Sequence, residues 1–150
     1  MTIQEQLFAD MKAAMKAREE GKVRLTTIRM VRAAIKNAEI AQGRPLTDEE
    51  TIQVLAKEVK ERKDSIPDFA RGGRDDLVAK LEEEISILRQ YLPEPLSEDE
   101  IRRLAQETIQ EVKATGQRDL GKVMGAIIPK TRGRADGRIV NQIVRELLKH

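Results

Sequence analysis

Apolar residues recur every three or four positions along this chain, and this spacing constrains its fold more than any other feature of the sequence. Leu81, Ile85 and Leu88, for example, fall on one side of a helix that turns by about 100° per residue. No run of residues alternates between apolar and polar side chains as a half-buried strand would. Aromatic residues make up only 2% of the 150 residues. The sequence therefore predicts an all-α protein whose helices meet through aliphatic side chains.

Capping motifs, glycines and prolines divide the pattern into seven segments. Ser or Thr followed three residues later by Glu opens three of them, because this capping box satisfies free backbone donors at a helix start. The predicted helices run from Thr2 to near Gly21, from Lys22 to about Ala41, from Thr47 past Ile66, from Arg74 to about Tyr91, from Ser97 to Gly116, from Asp119 to near Pro129, and from Asp136 to Leu148.

Individual residues carry further expectations. Pro67 should kink or loosen the third helix, and the Gly72-Gly73 turn should fold the third and fourth helices into an antiparallel hairpin. Gly116 is the expected C-cap of the fifth helix. The Asp119 carboxylate is expected to cap the sixth helix. The expected buried faces include Phe8 and Met15 in the first helix and Ile139 in the last.

Two prolines within Leu92–Leu96 mark the expected domain boundary, because they stop a helix and stiffen the chain. The predicted organisation is an N-terminal four-helix domain (1–92), a proline-containing connector (93–96) and a C-terminal three-helix tail domain (97–150). Residues 1–96 contain 17 basic and 18 acidic residues, whereas residues 97–150 contain 11 and 8. The tail is thus the more cationic part.

Positive charge is concentrated where the last two helical patterns meet. Between Lys113 and Arg138 there are seven basic and two acidic residues, although the whole chain has a net charge of only +2. Glycine and arginine near helix N-termini suit an anionic ligand such as phosphate. The candidate binding residues are the cations Lys122, Lys130, Arg132, Arg134 and Arg138, together with Gly121, Gly125, Gly133 and Gly137, which leave room for a close approach.

Plainer interpretations stay open for these residues. Gly121 and Gly125 could serve close packing between two helices, and the arginines could form a solvated turn. A second basic strip consists of Arg29, Arg32 and Lys36 on the second helix. This strip is either a second anion contact or the solvated edge of that helix.

Several kinds of chemistry are excluded by composition. The chain has no cysteine and one histidine, His150 at its end, so thiolate sites, disulfides and histidine triads are impossible. No phosphate-binding loop or dinucleotide fingerprint occurs. Glu82, Glu83 and Glu84 are expected to form a solvated acidic surface. We expect no catalytic residues, metal or cofactor, and no enzyme activity by the chain alone.

Hydropathy adds two expectations about location. The N-terminus MTIQEQLFAD has no apolar core of signal-peptide length. No stretch approaches the roughly 18 apolar residues that a membrane span needs. The expected protein is therefore soluble and cytoplasmic, with no membrane partner.

Over nearly its whole length the chain resembles the YqeY-like family. The most specific part is GKVMGAIIPKTRGRADGRIVNQIVRELL, from Gly121 to Leu148. The YLP connector (Tyr91–Pro93), the DSI stretch (Asp64–Ile66) and the GGRDDL turn (Gly72–Leu77) also match. Pro67 departs from the family pattern. The helical and tail region is similar to the C-terminal part of the B subunit of the glutamine-dependent aspartyl/glutamyl-tRNA amidotransferase.

This resemblance implies a helical domain followed by a tail that contacts tRNA, as the amidotransferase tail engages the outer corner of tRNA. It implies RNA contact mainly for Lys122, Lys130, Arg132, Arg134 and Arg138. The B subunit's separate catalytic domain has no counterpart in these residues. The expected function is a tRNA- or structured-RNA-binding module. The alternatives are an accessory subunit of glutamine-dependent amide transfer (a carbon–nitrogen ligase reaction with glutamine as amide donor) that acts with catalytic partners, and a helical protein–protein adaptor.

Overall fold

The computed structural model describes residues 1–149, and His150, the expected frayed end, lies outside this range. Across the described residues the chain forms seven α-helices, two short 3-10 segments and no strand, which confirms the all-α prediction. It divides into two compact units, Met1–Leu92 and Pro93–His150. The helices are α1 (Ile3–Lys16), α2 (Lys22–Gln42), α3 (Asp48–Arg71), α4 (Asp75–Arg89), α5 (Glu98–Glu111), α6 (Leu120–Thr131) and α7 (Gly137–Leu147).

Aliphatic side chains from all four helices fill the core of the first unit. Leu7, Ile28, Leu55 and Leu88 are completely buried there, one from each helix in chain order. The α3–α4 pair forms the predicted hairpin, and Gly73 in its turn has φ +71°, a conformation that a side chain disfavours. The aliphatic stripes therefore pack as the sequence spacing predicts.

The helix α1 differs from its prediction in length and in orientation. It ends at Lys16 rather than near Gly21, and a 3-10 segment (Arg18–Gly21) leads into α2. Its buried positions are Leu7 and Ala14. Phe8 and Met15 follow these by one residue, which turns them by about 100° around the helix and leaves them exposed. The expectation that they belong to the core is wrong.

The helix α3 continues through Pro67 to Arg71. Proline lacks one N–H and thus removes one rung of the helical hydrogen-bond ladder. The backbone N–H of Gly72 still donates to the carbonyl of Asp68, at 3.1 Å. The ladder is therefore re-established just beyond the proline.

A buried ion pair joins α3 to α4, where the sequence suggests only solvated glutamates. Arg62 and Glu84 are each 7% exposed, and the Arg62 Nε lies 3.2 Å from the Glu84 Oε1. The Arg62 Nη1 also donates to the backbone carbonyl of Glu58 at 3.0 Å. Glu84 is consequently not a surface residue, unlike its exposed neighbours Glu82 and Glu83.

The second unit is built around a core of its own. Completely buried aliphatic residues include Ala105 from α5, Val123 and Ile127 from α6, and Val140 and Val144 from α7. Because these residues recur at helical spacing, each helix turns one face to the other two.

Two boundary predictions in this unit are wrong. The C-cap of α5 is Val112, and Lys113 takes the left-handed conformation (φ +56°) that was expected at Gly116. The Lys113 N–H bonds to the carbonyl of Gln110, which satisfies a carbonyl at the helix end. Ile139 is exposed rather than buried, since α7 turns Val140 and Ile143 to the core instead.

Gly21 is the glycine whose replacement should damage the fold most. A Cβ atom at this position would lie 2.2 Å from the carbonyl oxygen of Ala14, so the backbone would have to move. We expect Gly21→Ala to lower the free energy of unfolding by about 1–3 kcal/mol, the usual range for overpacking. Urea unfolding measures this. Gly116→Ala is the control, since its Cβ would meet nothing within 4 Å; equal losses in both variants would contradict the structure.

The Arg62–Glu84 pair predicts a strongly non-additive pair of substitutions. Arg62→Met leaves a buried carboxylate without its partner, which should lower the free energy of unfolding by about 3–5 kcal/mol. Adding Glu84→Leu removes that unpaired charge and should restore much of the loss. A double-mutant cycle by urea unfolding measures the coupling. Simple addition of the two single losses would show that the two side chains do not interact.

Candidate nucleic-acid interface

The orientation of α6 determines which candidate residues face solvent. Val123, Ile127 and Thr131 are buried against the rest of the unit. Gly121 and Gly125 lie on the opposite side, where an added Cβ atom would meet no heavy atom within 4 Å. Close packing between two helices is therefore not the reason for these glycines.

The exposed glycines weaken α6 and expose its backbone. Glycine in a helix interior is less favourable than alanine by roughly 0.5–1 kcal/mol, and no contact within the unit requires it at position 125. What the glycines provide is a helix surface without side chains. Another molecule can approach the α6 backbone there more closely than on an ordinary helix.

Cations lie beside this surface and at its C-terminal end. Lys122 is exposed on α6, and Arg132 is exposed where the chain leaves that helix. Gly133 (φ +79°) then reverses the chain. Asp136, near which the sequence predicts that the last helix begins, caps α7 by accepting from the backbone N–H of Arg138 at 2.9 Å. The Arg138 side chain is 75% exposed.

Three of the five candidate cations are engaged inside the unit, and one of them is Arg138, whose Nη2 lies 3.6 Å from the Asp136 Oδ2. The Lys130 Nζ lies 2.8 Å from the Glu111 Oε2 and 3.2 Å from the Thr108 hydroxyl, which ties α6 to α5. The Arg134 Nε donates to the carbonyl of Glu94 at 3.3 Å, and this links the turn to the start of the unit. The side chains of Lys122, Arg132 and Arg138 are exposed to solvent, that of Arg138 beside its Asp136 partner.

Asp119 does not cap α6 as expected. The chain enters that helix through a 3-10 turn (Gln117–Asp119), and the carboxylate accepts from the backbone N–H of Thr115 at 2.9 Å. This hydrogen bond is the main reason why the pKa of Asp119 is lowered, and the positive charge of Lys122 lowers it further. The carboxylate thus stabilises the turn before the helix. Gly137, also a candidate, is exposed in the first turn of α7.

The second basic strip lies on the first unit and is more than a solvated edge. Arg29 and Lys36 are exposed. The Arg32 Nη1 lies 3.1 Å from the Met11 sulfur, and its guanidinium carbon lies 4.9 Å from the centre of the Phe8 ring. Sequence reasoning missed this cluster because it assigned Phe8 to the core. The spacing of three and four residues between Arg29, Arg32 and Lys36 was the sequence feature that could have indicated it.

The family model described as "Yqey-like protein" matches residues 4–148, which is almost the entire chain. The chain belongs to the YqeY-like family. Among residues 1–149, no helix has both the length and the apolar character that crossing a membrane requires.

Several curated relatives carry the name "Altered inheritance of mitochondria protein 41, mitochondrial". The protein of Pyrenophora tritici-repentis is 32% identical over 145 residues, which cover 95% of this chain and 78% of the relative. That of Lachancea thermotolerans is 42% identical over 87 residues, 57% of this chain and 46% of the relative. That of Saccharomyces cerevisiae is 39% identical over 95 residues, 62% and 50%. The matched regions thus span about half of the two yeast relatives.

The names of these relatives correct one expectation. A cytoplasmic location, inferred from the N-terminal sequence and hydropathy, is wrong, because the relatives are named as mitochondrial proteins. The names state no molecular activity, so the activity has to be inferred from the surface of the protein itself.

The open surroundings of Gly125 generate a stability prediction. We expect Gly125→Ala to raise the free energy of unfolding by about 0.4–1 kcal/mol, because alanine favours the helix and restricts the unfolded chain. Urea unfolding of the variant beside the parent protein measures this. A loss of stability would show that the position is packed, contrary to the structure.

Proposed function

We propose that the C-terminal unit binds structured RNA, with tRNA as the expected ligand, through the solvent-facing side of α6 and the α6–α7 turn. The observation that carries this proposal is a side-chain-free strip at Gly121 and Gly125 with no partner inside the unit. The exposed cations Lys122, Arg132 and Arg138 lie on the same helix and turn. Phosphate oxygens are the acceptors that such cations bind in nucleic-acid complexes.

Electrostatics and shape carry recognition in this proposal. Arg132 and Arg138 contact phosphates, and the RNA backbone approaches α6 over its glycines. Aromatic residues make up only 2% of the chain, so stacking on splayed bases contributes little to binding. The protein therefore recognises the shape of a folded RNA. Tying Lys130 and Arg134 to internal acceptors keeps the turn rigid.

The choice of tRNA rests on the likeness of this unit to the tail of the amidotransferase B subunit. In the same proposal, residues 93–96 act as a connector between a four-helix and a three-helix domain. Chemistry on the RNA belongs to catalytic partners, such as an amide-transferring enzyme, and this chain contributes binding.

A salt titration of tRNA binding tests the electrostatic mechanism. Each phosphate contact adds about 0.7–0.9 to the negative slope of log K against log salt, so three contacts predict a slope of about −2 to −3. Reversing Arg132 and Arg138 to Glu should remove about two contacts, which makes the negative slope shallower by about 1.4–1.8. Fluorescence anisotropy with labelled tRNA gives both numbers.

A variant with the same change in net charge distinguishes an effect at this site from a general effect of charge. Arg103→Glu with Arg145→Glu makes the same charge change at two exposed positions on α5 and α7. It should leave most of the affinity intact. Equal losses in both double variants, or a slope near zero in the parent protein, would contradict the proposed interface.

Gly125→Ala provides a test that does not involve charge. The added methyl group keeps the RNA backbone away from α6, which should weaken tRNA binding by about 1 kcal/mol, roughly fivefold in Kd. The same substitution is expected to stabilise the fold, so weaker binding could not be attributed to unfolding. Unchanged affinity would remove the glycines from the interface.

A further inference from the structure

A second surface lies on the first unit, where large apolar side chains and cations are exposed together. Phe8 and Met15 are 43% and 49% exposed, and their spacing of seven residues places them on the same side of α1. Arg32 reaches from α2 to Phe8 and Met11 of α1, so its strip borders that side. The α1–α2 surface is defined here by Phe8, Lys12 and Met15 of α1 and by Arg29, Arg32 and Lys36 of α2.

The cations of the α1–α2 surface are not neutralised by the protein. Within residues 1–149, its four cations form no ion pair with a carboxylate. Some arginines elsewhere in this unit are paired, as in Arg44–Glu50 and Arg74–Asp76. The Arg32 guanidinium donates to the Met11 sulfur, a weak acceptor, and most of its five N–H groups remain available for an anionic partner.

The Phe8 ring holds two cations of the surface in place, and for that reason it is poorly placed to stack on a nucleobase. The Lys12 Nζ lies 4.7 Å from the ring centre and the Arg32 guanidinium carbon 4.9 Å from it. Both cations lie over the ring, where a stacked base would have to lie. Phosphates offer no apolar contact to the exposed Phe8 and Met15, whereas an amphipathic partner does.

The spacing of both kinds of residue is that of a helix. Arg29, Arg32 and Lys36 span seven residues, about 10.5 Å along α2, which equals about two turns. Phe8 and Met15 span the same length on α1. A partner helix with an apolar stripe and carboxylates one and two turns apart would match both rows, and methionine adapts its shape to such partners. Ile40, 70% exposed and one turn beyond Lys36, extends the apolar contact.

We propose that the α1–α2 surface binds an acidic amphipathic helix of a partner protein. The apolar stripe of that helix packs on Phe8 and Met15, and its carboxylates receive hydrogen bonds from Arg29, Arg32 and Lys36. Recognition of this kind resembles the docking of an amphipathic helix by its apolar face, with anchors at helical spacing. The surface is independent of the RNA interface on the second unit, so the two activities can be lost separately.

Two synthetic peptides of about 18 residues, about five helical turns, test the proposal. One has leucines along one face flanked by glutamates, and the other has lysines in place of the glutamates. Fluorescence anisotropy with the full chain should show saturable binding of the glutamate peptide only. Arg29→Glu with Lys36→Glu, and separately Phe8→Ala, should each weaken that binding by about tenfold or more.

Control variants distinguish this surface from general charge and hydrophobicity. Lys60→Glu with Lys63→Glu makes the same charge change at exposed positions of α3. Met30→Ala removes an apolar side chain elsewhere on α2 whose exposed fraction (49%) equals that of Met15. Both should bind the glutamate peptide like the parent protein, as should the Arg132→Glu, Arg138→Glu variant. Thermal unfolding followed by circular dichroism verifies that every variant is folded.

Several results would overturn the proposal. Equal binding of the two peptides would show that the charge of the peptide does not determine binding. Equal losses of affinity in the control variants would show that the peptide binds outside the α1–α2 surface. A dimer in sedimentation that dissociates on Arg29→Glu, Lys36→Glu substitution would make a second copy of the chain the occupant. A loss of tRNA binding in that variant, as large as in the Arg132→Glu, Arg138→Glu variant, would make the surface part of the RNA site.

Discussion

The burial of one stripe of α6 determines what the second unit presents to other molecules. Val123, Ile127 and Thr131 pack into the core, and this fixes the rotation of the helix about its axis. The same rotation places Gly121 and Gly125 on the outside. A shift of one residue in this packing, about 100° around the helix, would turn the strip that the proposed function requires toward the edge of the core.

Electrostatic contacts divide the cations of the protein into structural and exposed groups. Lys130 and Arg134 hold the second unit together, and Arg62 bridges α3 to α4 in the first. The cations of the α1–α2 surface have no carboxylate partner among the described residues. Sequence position alone does not distinguish these groups, because the difference lies in which carboxylate or carbonyl the folded chain brings within reach.

The sequence predicted the existence of the helices and the three N-terminal caps Thr2, Thr47 and Ser97, because aliphatic spacing and capping residues act locally. It failed where one residue of rotation matters. Phe8 was assigned to the core together with Leu7, and Ile139 together with Val140. The prediction that Glu84 is solvated also failed, because the sequence of an acidic run does not show whether an arginine from another helix lies opposite it. For the site, sequence identified the basic segment, whereas only the structure separates Lys130 from Arg132.

Hydrogen exchange of the backbone amides in the presence of tRNA tests the central claim most directly, because it reports on α6 without altering any residue. Binding over the glycine strip should slow exchange at residues 120–126 and 132–138, with residues of α3 unchanged as an internal reference. Slower exchange confined to α1 and α2, or no change anywhere at saturating tRNA, would contradict the assignment of the RNA interface to the second unit.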